Sequence, residues 1–228
     1  MASIRDRIES AVSVVIGIAA VVVAVTAVMN TVRARAIPTV GGSETKFEER
    51  WEQYLSYGSN FGDKDAPVSI IEFVDFECPG CRGFERAFSA LPPELSAKTR
   101  LTLIHFPLDY HRFAPGAGLA FECAAAQGRA TEMRSMLFEL QDSLGLLNFD
   151  EIARRVSVAD LSGFRTCVEE RHPAAKLDSG RVAGERMGLA GTPTILINGW
   201  RLGFTPNASQ LKEIVEGFAE GRTPSFDK

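Results

Sequence analysis

The segment that most restricts the fold is Val68-Ser69-Ile70-Ile71-Glu72-Phe73-Val74-Asp75-Phe76, which runs through Glu77 directly into Cys78-Pro79-Gly80-Cys81. It is mostly apolar and β-branched, which suits a central strand covered on both faces. A helical pattern follows, with Phe84, Phe88 and Leu91 in step until Pro92-Pro93 stops it. The two cysteines therefore stand at a strand-to-helix junction. Three residues apart on a first helical turn, their Cα atoms approach to about 5–6 Å, as a disulfide requires. The unsatisfied N–H groups and positive dipole end of the helix favour a thiolate at Cys78, while Cys81, one turn further in, is less accessible. Cys78 is thus expected to be the exposed, attacking nucleophile and Cys81 the resolving thiol. A zinc site would want a second CxxC or suitably spaced histidines, whereas Cys123 and Cys167 are single and His105, His111 and His172 are scattered. No metal or cofactor is expected. A purely structural CxxC disulfide is the other alternative.

Arg100 to Phe106 alternates and reads as a second strand. From Phe113 to Met187 the pattern is helical with breaks and no strand signal. Pro115 suits a helix start, and Cys123 and Cys167 each fall on the apolar face of a predicted helix. They are either two buried free thiols or, in an oxidising compartment, a disulfide between two helices. The chain then returns to β at Thr194–Ile197, an Asn198-Gly199 pair favours a type I′ turn, and Trp200 to Phe204 forms the return strand. A last helix, capped by Asn207, carries Leu211, Ile214, Val215 and Phe218 on one face. Before the first strand, Thr45 and Glu48 have capping-box spacing and Phe47, Trp51, Tyr54 and Leu55 keep helical spacing, so a packing helix ending at Gly58 is expected there.

Ala11 to Met29 is an uncharged run of 19 residues, 16 of them apolar. As a helix it would span about 28 Å, near the thickness of a bilayer's hydrocarbon core. A retained single-pass anchor is expected. The alternative is a signal peptide cleaved near Ala34-Arg35-Ala36, after which the protein is secreted. Arg5 and Arg7 on one side and Arg33 and Arg35 on the other leave orientation undecided by charge. The remainder carries 21 Lys and Arg against 27 Asp and Glu with no basic stripe, which argues against a nucleic-acid role. The expected organisation is an anchor with its flanks at 1–35, a tether and packing helix at 36–61, and a domain at 62–228 with a helical insertion at about 113–187.

Phe76-Glu77-Cys78-Pro79-Gly80-Cys81 after a buried strand, with Gly191-Thr192-Pro193-Thr194 before a later strand and an Asn-Gly turn, resembles the DsbA-like thiol:disulfide oxidoreductases of the thioredoxin superfamily over roughly Gly62 to Glu220. The resemblance implies an α/β thioredoxin fold, βαβ then ββα, with an inserted α-helical domain. It implies that Pro193 is a cis-proline facing the cysteine pair. Thr192, Pro79 and Gly80 would then share with it the binding of a cysteine-containing peptide. Glu72 matches the family's buried acid, able to exchange a proton with Cys81; read from the strand alone, a glutamate there is more often a solvated one. His111 matches a recurrent histidine, with a loop or helix-cap role. Related sequences carry a cysteine pair near positions 123 and 167, which favours a structural disulfide there.

The implied activity is disulfide formation in exported proteins. Cys78 is attacked by a substrate thiolate, and a quinone-linked membrane reoxidase restores the pair. Pro79-Gly80 departs from the Pro-His of the strongest oxidases and leaves room for an isomerase or reductase; a non-catalytic tethered binding module is the third alternative. Disulfide donors work where thiols stay oxidised, so the chemistry places the N-terminus in the cytoplasm and the domain outside, on the periplasmic side of the cell membrane.

Overall fold

The computed structural model describes residues 44–223; the expected anchor at Ala11–Met29 and the tether before residue 44 lie outside the described residues. A six-stranded sheet runs through the centre in the order β1 (Lys46–Phe47), β6 (Trp200–Arg201), β5 (Thr194–Ile197), β3 (Val68–Val74), β4 (Thr99–His105), β2 (Ser59–Phe61). β3 and β4 are parallel, and every other pairing is antiparallel. All seven residues of β3 are buried, which fits a run that shows no clean apolar–polar alternation.

Successive side chains of β3 point to opposite faces. Val68 and Ile70 join Phe84 of α1 (Pro79–Ser89), Leu95 of α2 (Pro93–Ser96) and Leu211, Ile214 and Val215 of α8 (Ala208–Ala219). On the other face Ile71 and Phe73 pack with Ile104, Phe106, Leu196 and Ala183 of α7 (Ala174–Arg186), under Trp51 and Tyr54 of a 3₁₀ turn at Trp51–Ser56.

Between β4 and β5 lie α3 (Ala114–Ala125), α4 (Ala130–Glu139), a short 3₁₀ turn at Gln141–Ser143, α5 (Phe149–Arg155), α6 (Leu161–Glu169) and α7. Their shared core, built on Phe121, Met133, Leu137, Phe138, Ile152 and Phe164, takes in Val74, Phe76, Cys78 and Cys81. The cysteine pair therefore sits on the seam between sheet and inserted helices. A disulfide joins Cys123 on α3 to Cys167 on α6, with Cα atoms 5.9 Å apart. Among the described residues no helix is long and apolar enough to cross a membrane.

Three local expectations give way. Residues 46–47 form edge strand β1, and the helix after them starts only at Trp51 and is 3₁₀. Tertiary partners took the capping residues: Thr45 Oγ1 accepts from Gly203 N–H at 3.1 Å, and the Glu48 carboxylate pairs with Lys46 and Arg201. β2, a three-residue strand against β4, has no periodicity to announce it. β6 stops at Arg201, short of Phe204. The Asn198-Gly199 turn does have both residues at positive φ, 45° and 87°, as a type I′ turn demands. Asn207 caps α8 through a reciprocal box with Gln210.

Candidate active site

β3 ends at Val74, and α1 begins at Pro79 with Cys78 as its N-cap in an extended conformation. Proline at the first helical position costs nothing there, because its missing N–H would have had no intrahelical partner. Cys78 Sγ is faced by the backbone N–H groups of Gly80 and Cys81 and donates to the Thr192 carbonyl at 3.1 Å. The Thr192–Pro193 peptide is cis. Gly80 lies under Pro193 so closely that a Cβ added to it would come within 2.7 Å of Pro193 Cδ. Glycine at 80 thus answers a close approach of the Pro193 ring to the backbone; spacing alone suggested only flexibility.

The two thiols are opposites. The Cys81 thiol next to it, together with the Thr192 side chain and the N–H groups of α1, lowers the Cys78 thiol to about 6, against the penalty of burial. Cys81 is fully buried, and burial pushes its thiol well above the ordinary range. Its Sγ accepts from Asp75 N–H at 3.5 Å. Cys78 itself is only 7% exposed, so the expectation of an exposed nucleophile is corrected: it packs into the core of the inserted helices, with the Thr192 carbonyl against its sulfur.

Glu72 lies one layer down, between Leu103 of β4 and Ile195 of β5, and is 1% exposed. A solvated strand glutamate is therefore not what this position holds. Burial raises its carboxyl well above the usual range, partly opposed by Arg134. Arg134 in turn meets Glu85 at 2.6 Å, both buried. Burial thus favours the protonated carboxyl, and Glu72 lies close enough to Cys81 for its charge to be felt there.

Four other residues build the site and carry no spacing signal. Asp75, fully buried, accepts from the N–H groups of Glu77 and Leu108, both at 2.7 Å, and is hydrogen-bonded to His111 Nδ1 at 2.8 Å. Its carbonyl accepts from Cys78 N–H at 3.1 Å. His111 is therefore a loop anchor to the cysteine turn rather than a helix cap. The cap of α3 comes from Glu77, whose carboxylate accepts from Phe113 and Ala114 N–H. Gln141 donates from Nε2 to the carbonyls of Phe76 at 2.7 Å and Cys78 at 3.0 Å. His105, buried, pairs with Glu122, which Lys176 and Ser59 also reach. His172 is exposed beside Glu170. Among the described residues no three His, Cys, Asp or Glu side chains gather as a metal site.

A family model described as Thioredoxin matches residues 56–217. Na(+)/H(+) antiporter NhaA 3 of Salinispora tropica is 34% identical over 163 residues, which cover 71% of this chain and 25% of that protein. The chain spans about a quarter of the length of the curated relatives it matches, so their names are not carried over to it. Among solved structures, oxidised BdbD of Bacillus subtilis is similar over 73% of this chain and 95% of its own, with TM-score 0.61 and 21% identity. Alpha-DsbA1 of Wolbachia pipientis is similar over 72% and 92%, with TM-score 0.58 and 19% identity. The buried strand, the CxxC at the helix start, the proline loop against it and the helices inserted between β4 and β5 thus have one common explanation. The chain belongs to the thioredoxin family, and its fold is of the form that BdbD and alpha-DsbA1 share.

Proposed function

We propose that this chain is an extracytoplasmic thiol:disulfide oxidoreductase that introduces disulfides into exported proteins. One observation carries it: Cys78 Sγ faces the N–H groups at the start of α1 beside the cis Thr192–Pro193 peptide, while Cys81 and Glu72 are both fully buried. That arrangement stabilises one thiolate and disfavours the other, as a disulfide donor requires.

In the oxidised state a substrate thiolate attacks Sγ of Cys78, the Cys78–Cys81 bond breaks, and its electron pair goes to Cys81. Cys81 takes a proton, for which Glu72, the buried carboxyl whose charge reaches Cys81, is the donor. The substrate's second thiolate then attacks the substrate sulfur of the mixed disulfide and releases Cys78 as a thiolate. Two electrons have passed from the substrate dithiol to the cysteine pair, and a quinone-linked membrane partner would remove them. Pro79, Gly80, Thr192 and Pro193 would bind the entering substrate cysteine. Ala11–Met29 would tether the domain in a single pass, with the N-terminus cytoplasmic; residues 36–61 would be its link, and 62–228, with the insertion at about 113–187, the working domain.

The test is oxidation of a reduced, unfolded two-cysteine protein by the oxidised full-length chain. Cys78→Ser should abolish disulfide formation, and so should Cys81→Ser, which leaves Cys78 no disulfide for a substrate thiolate to attack. Full activity in Cys78→Ser would overturn the mechanism. Thiol trapping in the native membrane reads direction: an oxidised resting pair is expected, and a reduced one would mark an isomerase or reductase. Unchanged function after loss of both cysteines, or stoichiometric zinc, would mark a binding module.

A further inference from the structure

The 3₁₀ turn that follows α4 reaches across from the inserted helices to the cysteine turn at two points. Asp142 pairs with Arg82 on the first turns of α1, at 2.8 Å. Gln141 is buried, and its amide nitrogen spends both hydrogens on main-chain carbonyls, Phe76 at 2.7 Å and Cys78 at 3.0 Å. These two carbonyls bracket the nucleophile's turn. The Cys78 carbonyl is also where α1 begins, accepting Arg82 N–H at 3.2 Å. Phe76 lies in the buried aromatic cluster with Phe121 and Phe138 and is itself only 1% exposed. One side chain therefore satisfies two backbone acceptors that flank Cys78 and fixes their peptide planes.

We propose that Gln141 is a positioning residue for Cys78: from the helical insertion, its amide clamps the Phe76 and Cys78 carbonyls and so fixes Sγ where the N–H groups of residues 80 and 81 and the Thr192 carbonyl meet it. This rests on the assignment of Cys78 as the nucleophile. The chemistry accounts for the residue type. A neutral donor with two N–H bonds on one nitrogen answers both carbonyls; glutamate offers only acceptors, and methionine fills the space without donating. The clamp also has an electrostatic effect. With the clamp gone the turn relaxes, the sulfur moves off the α1 N–H groups, and the thiolate loses the contacts that hold its titration near 6.

The test is the titration of reduced full-length protein by thiolate absorbance, with Gln141→Met and Gln141→Asn beside the parent. Gln141→Met, matched in length but unable to donate, should raise the Cys78 midpoint by about one unit, equivalent to about tenfold less thiolate below the midpoint. The equilibrium with glutathione should move about tenfold toward the oxidised enzyme. Gln141→Asn keeps the amide on a shorter arm that reaches one carbonyl at most, so it should shift in the same direction by less. If Gln141→Met does not fold, this milder variant carries the test. A melt lowered in both variants with midpoint and glutathione equilibrium at parent values would show that Gln141 only holds the structure together, and would overturn the proposal. The midpoint is read whether or not the parent oxidises substrates. A shifted midpoint in a protein with no oxidase activity would therefore uphold the clamp and refute the proposed function.

Discussion

Lowering pH should strip stability from the reduced protein and not from its Cys78→Ser variant. The folded Cys78 thiol titrates near 6, against 9.0 for an ordinary thiol. A group whose folded pKa is depressed contributes stability that is complete above its unfolded pKa and vanishes as pH falls through its folded one. The window for Cys78 is therefore about pH 9 down to about pH 6. Three units at 1.36 kcal/mol each give a ceiling of about 4 kcal/mol. Its neighbours do not share that window in the difference. Cys81 is raised above 9.0, so any loss from it begins only at the alkaline end. Glu72 is raised above 4.5, loses stability as pH rises, and is present in both proteins, so its contribution largely cancels. The assay is urea unfolding of the parent with the Cys78–Cys81 pair reduced, and of Cys78→Ser, from pH 5 to pH 9. The difference in unfolding free energy should be flat to about pH 6 and then climb with a slope approaching 1.4 kcal/mol per unit. A difference that stays flat across the range would refute the reasoning, because no thiolate stabilised by the fold could then exist.

Three further outcomes follow from the geometry. Glu72→Gln, which cannot release a proton, should slow loss of Cys81 from the active-site disulfide by about 10²-fold, the low end for a positioned proton donor, with little change in Cys78 titration; stopped-flow exchange with a dithiol reads it. Gly80→Ala must push its new Cβ away from Pro193 Cδ, 2.7 Å distant, so it should cost about 1–3 kcal/mol in chemical unfolding and weaken exchange with protein thiols. Replacing both Cys123 and Cys167 by alanine opens a loop with a sequence separation of 44; stability should fall by roughly 4 kcal/mol on the chain-entropy estimate, while oxidation of a substrate by Cys78–Cys81 persists.

What the sequence announced was local. The Val68–Phe76 run, the CxxC at a helix start, the Asn198-Gly199 turn and the Asn207 cap each lie within a few consecutive residues, where propensity and spacing are strong. The residues it concealed act across the fold. Asp75 looks like an interruption in an apolar strand, yet its carboxylate ties the Leu108–His111 loop to the cysteine turn. Glu77 belongs to the motif by position but serves α3, 36 residues on. Gln141 follows a helix with nothing around it to suggest a distant target. The strands β1 and β2 are too short for any period, and Thr45 and Glu48 were drawn from a helix cap to partners in the β6 region. A buried Arg134–Glu85 pair beneath the site is invisible in the same way, since α1 and α4 meet only in space.

The two outer strands of the sheet have a consequence for a protein whose proposed clients are unfolded chains. An open edge offers unpaired backbone to any extended segment, and such clients are rich in them. Here one margin is closed by a two-residue strand and the other by a three-residue strand. Neither is long enough to template a client into the sheet. On the proposed function, an extended client is left the loop beside Pro193 as its foothold, where its cysteine would react. The sheet thus limits sticky contact with clients elsewhere along its margins.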